Sequence, residues 1–233
     1  MNYRSKKLVK PLQAILCRGD FYTAYPLREW GIVKKIRQAG SKNTCGELCS
    51  LRFTWQKAKR EAASEQVFLY ETFTGLLDAA WLLADAPLTN LHVERVPGKN
   101  NLFALAMFEN EVAAEFELNE CLPDTMPASH FVKANFTNGH ISNQPLVGHF
   151  NEEGAILADE SQMQRILIEN SDWDDCGDEM KNCERAMHHD IKKGKYPQGA
   201  LNSREIIEAV RNAVRYGTYT KEIAVAPAVQ KVV

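Results

Sequence analysis

The sequence predicts a single α+β domain, a mainly antiparallel open β-sheet with helices packed on one face. Three observations carry this expectation. Strand-like segments follow one another from about residue 91 to residue 142, and the pattern then switches to helices, an order that suits α+β folds better than doubly wound ones. Within Glu111–Leu118, Val112, Ala114, Phe116 and Leu118 fall on one side and Glu111, Ala113, Glu115 and Glu117 on the other. That period of two belongs to a sheet with one buried face. Asn138-Gly139, between His130–Phe136 and His140–Ser142, is a strong short-range hairpin signal.

The remaining elements follow in chain order. Leu12–Arg18 reads as a strand ending at Gly19-Asp20. Pro26–Ala39 reads as a helix, with Trp30, Ile32, Val33 and Ile36 on its apolar side and Gly40 as its stop. Gly46–Trp55 alternates in part and predicts a strand, and the charged stretch Lys57–Glu65 a loop or exposed turn. Phe68–Ala84 is the most apolar helix. Hydrophobes surround most of its circumference, so it should lie between the sheet and other structure. Strands are expected at Leu91–Val96, before a Pro97-Gly98 turn, and at Asn101–Phe108, before a Glu109-Asn110 turn. Ala155–Leu157 and Gln164–Ile168 are short strand candidates. Glu179–Lys192 and Asn202–Tyr216 read as helices separated by a break at Gly194–Gly199. Asn202 and Glu205 resemble a capping box, and Gly217 suits the position after a helix end. Residues 1–11 form a basic extension and 224–233 an apolar tail to one domain spanning 1–233.

Composition narrows the function classes. The chain has 233 residues, 45% apolar and 25% charged, enough to bury a real core. A formal net charge of −2 without asymmetry between the halves gives no nucleic-acid-binding surface. No stretch reaches the ~20 apolar residues of a membrane helix, and no signal-peptide core follows the basic start. A cytoplasmic location is therefore expected, and the six cysteines are read as free thiols. Cys45 and Cys49 are spaced too widely for the usual zinc pair, so no metal is expected.

Motifs for common cofactors are missing. No two of the 13 glycines lie two residues apart, so there is no G-x-G to bring backbone close to a pyrophosphate. The acidic run Asp172, Asp174, Asp175, Asp178 and Glu179 lacks the alternate spacing of a calcium loop. It reads as a solvated helix start, with acids near the positive end of the dipole.

Several segments, taken in order, resemble one family. They are Cys17-Arg18 through Phe21 and Tyr25, the helix to Ile36, and Gly46-Glu47 leading into Leu51-Arg52-Phe53. Asp78-Ala79-Ala80-Trp81-Leu82-Leu83, the hairpin Asn101–Leu118, Thr137-Asn138-Gly139-His140-Ile141 and Gly194-Lys195-Tyr196-Pro197 continue the series. Together they resemble the C-terminal domain of the glucose–fructose oxidoreductase / inositol dehydrogenase (Gfo/Idh/MocA) family, from about residue 12 to residue 223. The resemblance implies an open sheet that forms an oligomer interface and a substrate pocket beside the helix ending in Trp81-Leu82-Leu83.

The chain departs from that family in three ways. Its members begin with a nucleotide-binding Rossmann domain, for which this chain has no room. Lys10-Pro11 matches only part of their Glu-Lys-Pro signature, with Val9 where the glutamate belongs. Aligned on Trp81-Leu82-Leu83, Thr74 stands where the family commonly carries a catalytic histidine, and there is no histidine between Leu51 and Leu91. Threonine cannot relay a proton near neutral pH as imidazole does.

The resemblance places Arg18, Tyr70, Glu71, Thr74 and Asp78 in the ligand pocket. Structural alternatives stand beside these. Arg18 can pair with Asp20, Tyr70 can be core with its hydroxyl outward, and Asp78 can cap or salt-bridge. No catalytic residue and no cofactor are expected in this chain, which should not be active alone. The first functional expectation is a non-catalytic relative of the substrate domain. It would bind a carbohydrate-type small molecule or a protein partner and form a homo-oligomer through its sheet. The second is a subunit of an NAD(P)-dependent sugar or polyol oxidoreductase whose Rossmann domain is a partner protein. The third is a purely structural assembly protein with a filled pocket.

Overall fold

A computed structural model of the chain describes residues 13–17, 20–58, 68–96, 98–123, 128–144, 155–159, 163–166, 185, 189, 193 and 198–221. The expectations for residues 1–11, Arg18, the acidic run 172–179, most of the helix over 179–192 and the tail 224–233 lie outside the described residues. So does most of the charged stretch 57–65.

Eleven strands are described: β1 (Gln13–Cys17), β2 (Asp20–Ala24), β3 (Leu48–Ala58), β4 (Leu88–Arg95), β5 (Asn101–Phe108), β6 (Ala113–Leu122), β7 (Ser129–Phe136), β8 (Gly139–Ser142), β9 (Ala155–Asp159), β10 (Met163–Ile166) and β11 (Thr218–Thr220). Among the described residues the α-helices given with bounds are α1 (Gly31–Ser41), α2 (Thr74–Ala84) and α3 (Gln198–Tyr216). Nine strands form one sheet in the order β10-β9-β8-β7-β3-β6-β5-β4-β11. Every neighbouring pair is antiparallel except β3–β6. The fold is α+β, with a mainly antiparallel sheet and its helices on one face.

The alternation in β6 is realised as predicted. Val112, Ala114, Phe116 and Leu118 are buried, while Glu115 is exposed and Ala113 and Glu117 are half-buried. β3 contributes Leu51, Phe53 and Trp55 to the same inner face. Phe116 stacks on Phe53, with ring centroids 5.3 Å apart, and meets Phe73 edge-on at 5.5 Å. Opposite lie Ile32, Val33 and Ile36 of α1, Leu76 and Leu77 of α2, and Ile206, Val210 and Ala213 of α3. All eleven residues of α2 are buried, as a helix apolar around its circumference requires.

Several local expectations are corrected. Pro26–Ala39 is two pieces, a 3-10 turn at Pro26–Glu29 and α1 from Gly31, because Trp30 is extended (φ −61°, ψ 132°) and buried. Phe68–Phe73 is a single wide i→i+5 turn leading into α2. Asp85 closes α2 in the left-handed conformation at φ 52°, and the Asn110 side-chain amide donates to the Ala84 carbonyl at 2.9 Å. That tight exit lets β4 start at Leu88, three residues early. Asn202 is no cap, since α3 begins at Gln198. Glu205 instead accepts a bond from Lys221 Nζ at 2.8 Å.

The 137–142 hairpin forms one residue earlier than Asn138-Gly139 suggests. Phe136 pairs with Gly139, so Thr137 and Asn138 are the loop residues. The segment before β3 selects this turn: Thr137 N–H donates to the Glu47 carbonyl and Asn138 N–H to that of Cys45. β2, which the sequence did not announce, pairs with β1 in a separate two-stranded ribbon.

Candidate functional site

Tyr70, Glu71, Thr74 and Asp78 lie along the wide turn and α2 at spacings of three and four, which places them on one side. Their surroundings differ. Tyr70 and Glu71 are half-buried, and Tyr70 packs against the core. Thr74 is fully buried, and its hydroxyl donates to the Tyr70 carbonyl at 2.7 Å within the same turn. Asp78 is also fully buried. Both its oxygens accept from Arg28, Nε at 2.7 Å and an Nη at 2.6 Å. Burial pushes the Asp78 carboxyl above its ordinary range, and the Arg28 guanidinium pulls it back. The fork geometry of arginine suits this two-point contact. Arg28 also lies over the Tyr25 ring, 5.9 Å from its centroid. Arg18 lies outside the described residues.

A second polar group sits further along the inner face, where β3 and β6 end and β7 begins. Lys57 Nζ is 2.7 Å from Glu120 Oε1, with side chains 14% and 2% exposed. The Thr72 hydroxyl, from the wide turn, donates to the same oxygen at 3.3 Å. His130 pairs with Trp55 across the β3–β7 ladder, and their rings lie 3.8 Å apart at 31°. Burial, and then the nearby Lys57 charge, push the His130 imidazole down to about 3, so it is neutral at pH 7. Its Nε2 is buried without a hydrogen-bond partner among the described residues. Sequence reading did not single out Lys57, Thr72, Glu120 or His130. The available signal was alternation: Glu120 continues the inward series Ala114, Phe116, Leu118, and an acid on a buried strand face asks for a partner.

Among the described residues the other face of the sheet carries no helix. Its side chains form cross-strand rows fixed by register. One row reads Lys133, Arg52, Glu115, Leu105, His92 from β7 to β4. The next reads Phe131, Thr54, Glu117, Phe103, Glu94. Arg52 Nε donates to Glu115 at 2.6 Å, Gln56 Nε2 to Glu117 at 3.1 Å, and His92 lies 3.1 Å from Glu94. Phe103 and Leu105 remain 55% and 42% exposed. They sit in an open concavity of about 400 Å³ whose walls include Arg52, Glu94, Glu115 and Glu117.

Among the described residues no three metal-ligating side chains converge. Cys49 and Cys121 are exposed free thiols, and Cys45 is buried. Among the described residues no helix is long and apolar enough to cross a membrane.

No family model matches the sequence, and no curated protein matches it. Solved structures do match the fold. An oxidoreductase from Agrobacterium radiobacter in complex with NAD+, L-tartaric acid and magnesium is 14% identical with a TM-score of 0.62, over 84% of this chain and 63% of that one. Myo-inositol dehydrogenase from Lactobacillus casei, in complex with NAD(H) and myo-inositol, is 11% identical with a TM-score of 0.60, over 87% and 62%. A super-repressor mutant of Gal80p from Saccharomyces cerevisiae is 11% identical with a TM-score of 0.58, over 84% and 63%. The chain thus spans under two thirds of the length of these proteins and shares their fold over that part.

Proposed function

We propose that this chain is a non-catalytic relative of the substrate and oligomerisation domain of the Gfo/Idh/MocA oxidoreductases, assembling with itself through the bare face of its sheet. The polar end of the inner face is then the place for a carbohydrate-type small molecule. The carrying observation is the buried Arg28–Asp78 pair together with the inward Thr74 hydroxyl. Both polar groups of α2 that a substrate would address are matched within the chain. Thr74 cannot serve as an acid or base near neutrality, and His130 titrates too low to be an efficient one.

Assembly is supported by Phe103 and Leu105, side by side on adjacent rows of a face that carries no helix among the described residues. Ligand binding is supported by the unpartnered His130 nitrogen beside the Lys57–Glu120 pair. Among the proteins of like fold, one is described as bound to myo-inositol and another as a super-repressor. The fold is therefore compatible with both binding and non-enzymatic roles.

The test uses the full chain. Light scattering on a sizing column should give a dimer or larger, and Phe103→Glu should shift it to monomer. Thermal melts with myo-inositol should rise, with His130→Phe removing the rise, and NAD+ with myo-inositol should give no NADH. A monomeric wild type would refute the assembly reading. NADH production by the chain alone would refute the non-catalytic one.

A further inference from the structure

We infer that the basic segment 1–11 folds back across the sheet of its own chain, with residues 3–7 covering the concavity around Phe103 and Leu105. Docking there regulates the assembly proposed above, because a second copy must displace the segment to use the same face, and only that consequence rests on the assembly reading.

The concavity is acidic around an apolar floor. Register sets Phe103, 55% exposed, between Glu117 of β6 and Glu94 of β4. In the next row Leu105, 42% exposed, lies beside Glu115. Arg52 donates to Glu115 at 2.6 Å and so answers one of the three carboxylates. Glu117 accepts from the neutral Gln56 amide and Glu94 meets His92, so among the described residues neither has a lysine or arginine partner. An occupant that matches this surface has apolar side chains, carries positive charge and is free of acids.

Charge singles out one segment of the chain. Four stretches of ten or more residues lie outside the described ones: 1–12, 145–154, 167–184 and 222–233. The last three carry acids, among them Glu152 and Glu153, Asp172 and Asp174, and Glu222. The first carries Arg4, Lys6, Lys7 and Lys10 and no acid, with Tyr3, Leu8 and Val9 interspersed. Tyr3 offers a ring to Phe103, and Arg4, Lys6 and Lys7 offer charges to Glu94 and Glu117.

The segment is long enough. Gln13 opens β1, β1 pairs with β2, β2 lies against α3, and α3 packs on β4 and the edge strand β11. From that side the route turns the sheet edge, about 10 Å, and crosses two spacings of about 4.8 Å to β5 or three to β6, roughly 20–25 Å in all. Residues 3–7 stand six to ten positions before Gln13. At up to about 3.4 Å per residue they reach roughly 20–34 Å.

The test is carbodiimide cross-linking of the full chain, which joins lysine amines to carboxylates in contact. Material that stays at monomer mass should carry links from Lys6 or Lys7 to Glu94 or Glu117. Phe103→Lys leaves every carboxylate in place and should lower their yield at least about fivefold. Roughly molar salt should do the same to the wild type, which keeps the reading open if the variant folds poorly. Links that are absent, that join different chains, or that scatter over other carboxylates would overturn the docking. Analytical ultracentrifugation reads the consequence: Lys6→Glu with Lys7→Glu should dimerise at least about threefold more tightly than wild type. Equal dimerisation would overturn the regulation. A chain that stays monomeric with and without these substitutions would refute assembly, while the cross-links still decide docking by themselves.

Discussion

Arg28 and Asp78, fifty residues apart in sequence, meet through two hydrogen bonds of 2.7 and 2.6 Å across the boundary between the 3-10 turn and α2. The carboxylate is fully buried and the guanidinium nearly so, with exposures of 0% and 14%. Such a pair contributes little net stability over a well-packed apolar replacement, but breaking it strands a buried charge.

Removing one partner should therefore be costly and removing both should not. Arg28→Met or Asp78→Leu alone is expected to destabilise the chain by about 3 kcal/mol, and the two together by much less than the sum of the two. Urea denaturation of the four-member cycle measures this. Additive losses would mean that the two side chains are not coupled.

Thr74 is surrounded on all sides, so its volume matters more than its hydroxyl. Thr74→Val should cost no more than about 1.5 kcal/mol, since the Tyr70 carbonyl it releases lies within a helical turn. Thr74→His, which restores the residue the resemblance associates with catalysis, should overpack the site by about 1–3 kcal/mol and yield no dehydrogenase activity. Thermal melts and an NAD+ reduction assay with myo-inositol decide both points.

His130 makes the fold sensitive to acid. Its folded value lies near 3, below the unfolded value of 6.5. The unfolded chain thus takes up a proton first as pH falls. The stability from burying the neutral ring is complete above pH 6.5 and is lost progressively down to about pH 3, by at most roughly 5 kcal/mol. His130→Phe keeps a ring against Trp55 and should flatten that part of the stability–pH curve. Urea midpoints at pH 7, 6, 5 and 4 for both proteins are the measurement. Parallel curves would exclude His130 as the cause.

Gly46 and Gly217 both have positive φ, at 79° and 81°, but differ in surroundings. A Cβ on Gly46 would collide with the Thr137 hydroxyl, which also accepts the Glu47 N–H at 3.1 Å, whereas a Cβ on Gly217 meets nothing within 4 Å. Gly217→Ala should cost about 1 kcal/mol from backbone strain alone. Gly46→Ala should cost about 3 kcal/mol, because it also displaces the β7–β8 turn. Equal losses would mean that the contact with Thr137 carries no weight.

What sequence determined by itself is local in origin. The period of two in residues 112–118 identified the buried side of β6, and the all-round apolarity of residues 74–84 identified a helix covered on every side. Both patterns are consequences of geometry that each segment carries alone. They were enough for the fold class and for a buried helix over the residues that include Thr74 and Asp78. Local signals were weaker where a distant segment intervened. The turn of the 137–142 hairpin moved one residue toward Thr137 because backbone groups of Cys45 and Glu47 hold it there.

Tertiary structure alone decided which side chains meet. Nothing in the spacing of Arg28 and Asp78 announces their pairing, and nothing local to β3 tells that β6 will lie beside it in parallel and β7 in antiparallel register. Those choices follow from filling one shared core with many segments at once. They set Glu120 beside Lys57, stack His130 on Trp55 and line Arg52 up with Glu115 on the bare face. Periodicity tells each segment which side to bury, while the partner across the interface is fixed only when all the segments pack together.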